Sequence, residues 1–124
     1  MGLTSLKVKI SNPQNPKKGD SVDFMVDSGA IYSVVDKEIL KKLGIKPHGE
    51  KEFFLANGQK VTRKIGGALY EYEKEKGYSQ VIFGEKGDSN LLGVTTLESL
   101  GFVLDPFQRK LLQLPMILGG LKNK

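Results

Sequence analysis

Val22-Asp23-Phe24-Met25-Val26 has the texture of a half-buried β-strand, and it runs without a break into Asp27-Ser28-Gly29-Ala30. A carboxylate leaving a sheet on a sharp turn is an unusual structural choice. Gly29 permits backbone angles or a close approach denied to other residues, and the small neighbours leave room beside Asp27. Taken alone, Asp-Ser-Gly is also ordinary turn chemistry, so the weight of the reading falls on what surrounds it.

Upstream, Leu6 to Ile10 alternates apolar and polar residues, the period of a strand. A long loop rich in turn formers, Asn12 to Asp20, is expected to join it to the strand before Asp27 as a hairpin. Downstream, after Ile31-Tyr32-Ser33-Val34-Val35, Asp36 can cap a short helix over Lys37 to Leu43 that stops at Gly44. Glu52-Phe53-Phe54-Leu55 and Gln59 to Ile65 flank Ala56-Asn57-Gly58, and Asn-Gly between two strand-like runs predicts a projecting hairpin. Phe53 and Phe54 are expected to give one ring to the core and one to the hairpin's inner face.

Ala68 to Glu73 and Tyr78 to Phe83 read as a further antiparallel pair, followed by a polar loop from Gly84 to Ser89. Asn90-Leu91-Leu92-Gly93 is a short apolar strand ending in Gly, and Thr95 with Glu98 predicts a capping box on a helix ended by Gly101. Phe102-Val103-Leu104 and Lys110 to Leu114 close the chain as a last strand pair across an Asp105-Pro106 turn. No repeat or linker divides the chain, so residues 1–124 are expected to form a single domain.

At 124 residues the chain is one core's worth of protein, which excludes a two-lobed enzyme. Hydrophobic residues at 39% and charged residues at 27% are globular values and exclude a disordered tail. With no Cys and a single His, His48, disulfide scaffolds, thiol nucleophiles and zinc clusters drop out, and no metal or other cofactor is expected. The net charge of +5 comes from dispersed lysines, with Arg63 and Arg109 the only arginines. A nucleic-acid-binding barrel would need a clustered basic face with stacking aromatics, so no nucleic-acid partner is expected. No apolar run approaches the ~20 residues of a membrane span, and a cytoplasmic protein with no membrane partner is the expectation.

Asp27-Ser28-Gly29-Ala30 trailed by Ser33-Val34-Val35 resembles the active-site motif of retropepsin-like aspartic proteases, in the style of the cellular or prokaryotic members of that family. Leu91-Leu92-Gly93 ahead of a short helix is similar to the family's late apolar pair plus glycine. The order and spacing agree, with Asn57 standing 30 positions and Gly93 standing 66 positions after Asp27. The resemblance spans nearly the whole chain. It implies an all-β fold, a small closed barrel with one or two short helices, and an aspartic endopeptidase acting on extended polypeptide. Asp27 would be the catalytic carboxylate, Ser28, Gly29 and Ala30 the active-site turn, and Ala56, Asn57 and Gly58 the tip of a flap that closes over substrate. By the same resemblance, Ser28 would bond across a dimer axis and Gly29 would accept a hydrogen bond from substrate backbone.

Two departures stand out. Ile31 occupies the place where retroviral members carry an Asp that binds substrate backbone, and the flap is poorer in glycine than theirs. Ile65-Gly66-Gly67-Ala68 has the composition of a viral flap tip but comes 39 positions after Asp27, too late in the chain.

Metal-free peptide hydrolysis without a covalent intermediate needs two carboxyl groups sharing one proton, since like charges ~3 Å apart cannot both ionise. The sequence holds one Asp-Ser-Gly, so the second Asp27 is expected from a two-fold-related copy of the chain. Leu111 to Leu114 are expected to complete their own subunit, and Pro115 to Leu118 to join the homodimer interface. The competing reading is a non-catalytic dimeric peptide-binding or assembly module of the same fold, in which Asp27 is a turn residue only.

Overall fold

Alternation along the first two strands sets the frame. Val8 and Ile10 on one strand and Val22, Phe24 and Val26 on the next are buried, while Lys7, Lys9, Asp23 and Met25 between them face outward. The computed structural model describes residues 4–105 and 107–115. Its elements in chain order are β1 (Thr4–Asn12), β2 (Asn15–Val26), β3 (Ser33–Asp36), α1 (Lys37–Lys42), β4 (Gly49–Phe54), β5 (Lys60–Tyr72), β6 (Glu75–Gly84), β7 (Leu91–Leu92), α2 (Val94–Ser99), β8 (Phe102–Asp105) and β9 (Lys110–Gln113).

Strands β1, β2, β7, β3, β6 and β5 pair in that order, and β1 pairs back onto β5 from Lys9↔Glu71 to Ser11↔Leu69. The sheet therefore returns on itself as a ring, compatible with the small closed barrel expected, and the two short helices complete a mostly-β fold. β4 hangs on β5 outside the ring, and β8 and β9 form a separate hairpin. The core lies inside, where Tyr70, Val81, Leu92, Leu97 and Leu100 meet the buried face of β1 and β2.

Several local expectations change in the folded chain. The first hairpin has no long loop: β2 begins at Asn15, and only Pro13 and Gln14 separate it from β1. Its exposed half stays paired because the antiparallel ladder continues beyond the core, and the Asn12 side chain ties the turn down. Asn12 Oδ1 accepts from Gln14 N at 2.9 Å, and its Nδ2 donates to the Leu43 and Gly44 carbonyls at 3.2 and 3.1 Å.

The two strand segments expected around Gly66-Gly67 are one 13-residue strand, β5, because β6 pairs straight across the glycines, Gly66 with Val81 and Gly67 with Gln80. Asp36 does cap α1, accepting from Glu38 N at 2.8 Å. Thr95 does not cap α2. The N-cap is Gly93, and Thr95 sits inside the helix with its hydroxyl donating to the Ile31 carbonyl at 2.8 Å.

Neither Phe53 nor Phe54 reaches the core, since β4 is an edge strand beyond the ring. Phe53 is half-buried and Phe54 is exposed. Leu111 packs against the core and Leu112 is exposed. Pro115 is exposed, and Met116, Ile117 and Leu118 lie outside the described residues.

Candidate active site

The parallel pairing of β2 with β7, Met25↔Leu91 and Val26↔Leu92, brings the two sequence motifs to the same end of the ring. Asp27 N donates to the Leu92 carbonyl at 3.1 Å as β2 ends. The chain then turns: Ala30 N donates to the Asp27 carbonyl at 3.1 Å, and Gly29 N donates to Asp27 Oδ1 at 2.9 Å. That N–H fixes one carboxylate oxygen and leaves the rest of the half-buried group available to a partner. Ser28 and Gly29 are exposed beside it.

A second layer braces this turn from below. Val94 N donates to the Ala30 carbonyl at 2.8 Å and Thr95 N to the Ile31 carbonyl at 3.0 Å. At Gly93 the two segments touch. A Cβ there would lie 2.6 Å from the Tyr32 carbonyl carbon and oxygen, closer than any side chain tolerates, so only glycine permits the approach. Gly93 N donates to Ser33 Oγ at 2.9 Å, and Ser33 Oγ shares a 2.6 Å hydrogen bond with Thr96 Oγ1, both side chains fully buried.

Thr96 Oγ1 reaches Ser79 Oγ at 3.4 Å, and Tyr70 OH donates to the Gln80 carbonyl at 3.1 Å. Burial pushes the Tyr70 phenol well above its ordinary range, against the opposing pull of hydrogen bonds with Thr96 and Ser33. The phenol is therefore a neutral member of a hydroxyl network under the turn.

Opposite the floor stands the β4–β5 hairpin. Leu55 N donates to the Gln59 carbonyl and Gly58 N to the Leu55 carbonyl, both at 2.8 Å, and Asn57 Oδ1 accepts from Gln59 N at 2.8 Å. Gly58 takes φ 86°, the left-handed geometry that the Asn-Gly signal anticipates. Between floor and hairpin opens a cavity of about 550 Å³. Gly29 and Ala30 border it on the turn side, and Phe53, Phe54 and Leu55 on the hairpin side. Tyr32 meets Phe53 edge to face, ring centres 6.4 Å apart, and Lys51 Nζ lies 5.2 Å from the centre of the Tyr32 ring.

Of the predicted site residues, Gly29 and Ala30 border this cavity; Asp27 and Ser28 lie beside it without lining it, and Ala56, Asn57 and Gly58 form the hairpin tip and do not line it. His48 is exposed, and its backbone N–H joins the loop to Ile65. Among the described residues no group of three His, Cys, Asp or Glu side chains stands where it could hold a metal ion, and no helix is long and apolar enough to cross a membrane.

Sequence reasoning missed Arg63 and Asp88. Arg63 Nε donates to Asp88 Oδ2 at 2.8 Å and Nη2 to Oδ1 at 3.2 Å, joining β5 to the loop between β6 and β7 at the cavity wall. The hydrogen bond from Arg63 holds the Asp88 carboxyl below its ordinary range, helped by the Glu85 backbone N–H and opposed by partial burial. One signal was present: Arg63 is one of two arginines in a chain that otherwise uses lysine, which suggests a site where the two-pronged guanidinium matters.

The family described as Aspartyl protease matches residues 8–68, the stretch that carries the Asp27 turn and the hairpin. Among solved structures the chain is similar to a retropepsin-like aspartic protease from Rickettsia conorii, at 25% identity and a TM-score of 0.53, over 84% of this chain and 77% of that one. Among curated proteins nothing matches. Both matches are to aspartic proteases, and the fold is the retropepsin-like one.

Proposed function

We propose that the protein is an aspartic endopeptidase whose active site assembles on the axis of a homodimer, with one Asp27 from each subunit. The observation that carries this reading is the placement of Asp27. Its carboxylate emerges at the end of β2, one oxygen is held by the Gly29 N–H, and the turn borders a cavity roofed by a hairpin. A single such carboxylate lacks a partner, because one chain of 124 residues contains one Asp-Ser-Gly.

In the dimer the two Asp27 carboxyls share a proton. The ionised one takes a proton from the attacking water while the protonated one donates toward the scissile carbonyl, which becomes the tetrahedral diol. The hairpin closes over an extended polypeptide and excludes water, with Ala56, Asn57 and Gly58 at the closing tip. Ser28 and Gly29, exposed beside the carboxylate, serve the dimer contact and the substrate backbone respectively. The exposed pair Val103 and Leu112, opposite each other on β8 and β9, supports an apolar contact near the C-terminal segment.

Replacing Asp27 by Asn tests the chemistry. An amide Oδ1 still accepts from Gly29 N, so the fold is expected to survive, while peptide hydrolysis falls by about 10³-fold or more. Hydrolysis persisting in a verified Asp27→Asn sample would sink the mechanism. Dilution tests the assembly: specific activity should fall as the concentration drops through the dimer dissociation constant. Activity independent of concentration in a protein shown to be monomeric by ultracentrifugation would rule out the shared site.

A further inference from the structure

The cavity beside the Asp27 turn is lined mostly by apolar residues. Ile31, Val34, Val61, Ile82 and Leu91 contribute hydrocarbon surface, and Arg63 and Asp88 are the charged side chains that line it among the described residues. Arg63 is half-buried and Asp88 stands on an exposed loop, and the two are bound to each other. Their side chains keep 18% and 24% of their accessible surface, and the guanidinium and carboxylate meet through two parallel hydrogen bonds.

The surroundings hold each partner in place. Asp88 Oδ2 also accepts from Glu85 N at 2.8 Å, and Asp88 N donates to the Glu85 carbonyl at 2.9 Å, so the loop presents the carboxylate in a fixed position. Arg63 Nη1 donates to the Thr62 carbonyl at 3.1 Å. Lys51, opposite Arg63 across the strands, directs its amine to Tyr32 and leaves the pair alone.

Resting on the peptidase reading above, we propose that the Arg63–Asp88 pair is a specificity determinant: it closes the substrate cavity with two mutually cancelled charges and restricts the adjoining substrate position to uncharged side chains. An apolar side chain entering the cavity meets hydrocarbon and a neutral end wall. A lysine or glutamate would have to shed water against a pair whose opposite charges already offset each other, with no net charge to receive it. Either half alone would behave differently. Without Arg63 the wall becomes a bare carboxylate that favours a cation, and without Asp88 it becomes a bare guanidinium that favours an anion.

Binding measured in the Asp27→Asn background separates this inference from turnover. The probes are fluorescent apolar peptides carrying Leu, Lys or Glu at one position, scanned along the sequence and read by anisotropy. With the pair intact, the Leu peptide should bind tightest at the position that faces the cavity. Arg63→Met should raise the Lys-to-Glu affinity ratio there by roughly tenfold, and Asp88→Asn should lower it by a similar factor, the scale of one newly unpaired, partly desolvated charge. The double variant Arg63→Met/Asp88→Asn should return to preferring Leu.

A merely structural pair would weaken all three peptides together and leave their order unchanged, which would overturn the inference, as would the failure of every peptide to bind. Should one single variant fail to unfold cooperatively, the other and the double variant decide. Absence of hydrolysis by the intact protein would instead overturn the peptidase reading, whatever the binding order.

Discussion

The floor of the site and the hairpin above it are built from the same kind of short turn, yet they are held in opposite ways. The Asp27 turn is tied on every side: to β7 through the Leu92 carbonyl, to α2 through the Ala30 and Ile31 carbonyls, and to a buried hydroxyl network through Gly93 and Ser33. The hairpin of β4 and β5 beyond the ring is tied mainly to itself. β4 pairs with β5 alone and reaches outward through the Tyr32 contacts of Phe53 and Lys51, and the β5 arm is held at one further point by the Arg63–Asp88 fork. Interior hydrogen bonds in a dry network resist displacement, whereas an exposed two-stranded arm is marginal by its own energetics. On the proposed reading, a carboxylate that meets its twin at hydrogen-bond distance needs the first arrangement, and a cover that admits and releases a polypeptide needs the second.

The sharpest way to break this contrast is at Gly93. Gly93→Ala forces a methyl group into the Tyr32 carbonyl, so a stability loss of about 3 kcal/mol is expected together with loss of hydrolysis, because the Asp27 turn must shift. Thermal unfolding and peptide turnover on the same sample check it; unchanged activity would show that the floor is not rigid. Ser33→Ala should cost about 2 kcal/mol, since it strands the Gly93 N–H in the interior and leaves the Thr96 hydroxyl only the longer bond to Ser79 Oγ. Denaturant unfolding reads that loss, and a drop in kcat with KM held would locate its effect in the floor.

A smaller effect is expected from Asp88. Its carboxyl is held below the ordinary range in the folded chain, so the stabilisation it brings is complete above the ordinary Asp value of about 3.9 and disappears as pH falls through the lowered one. The difference in melting temperature between the intact protein and Asp88→Asn should hold from neutral to weakly acid pH and shrink only in stronger acid. A difference that vanished already near pH 6 would mean that the pair is not formed as described.

The smallest change belongs to the hairpin tip. Asn57→Ala removes one exposed turn bond to Gln59 N and should cost about 0.5 kcal/mol. Its expected signature is a raised KM with the melting temperature nearly unmoved. A loss of stability as large as that of Ser33→Ala would erase the distinction between the two regions.

Local pattern carried much of the fold. The alternation at Leu6 to Ile10 and Val22 to Val26, the Asn57-Gly58 turn, the Asp36 cap and the short strand before Gly93 are all decided by neighbours in sequence, and each stands where its residues indicate. The errors came where distant partners overrule local preference. The turn formers from Asn12 to Asp20 are drawn into a ladder by β1, Gly66 and Gly67 are carried through a strand by β6, and Thr95 gives its hydroxyl to Ile31 from 64 residues away instead of capping α2.

By itself, the sequence determined the catalytic candidate and its class, because an Asp-Ser-Gly-Ala turn after an apolar strand is a contiguous signal that needs no fold to be seen. Only the tertiary structure decided how that turn is braced and what faces it. The Ser33–Thr96 hydrogen bond, the approach at Gly93 and the Arg63–Asp88 fork join residues dozens of positions apart, and such pairs exist only once the ring closes and brings them together.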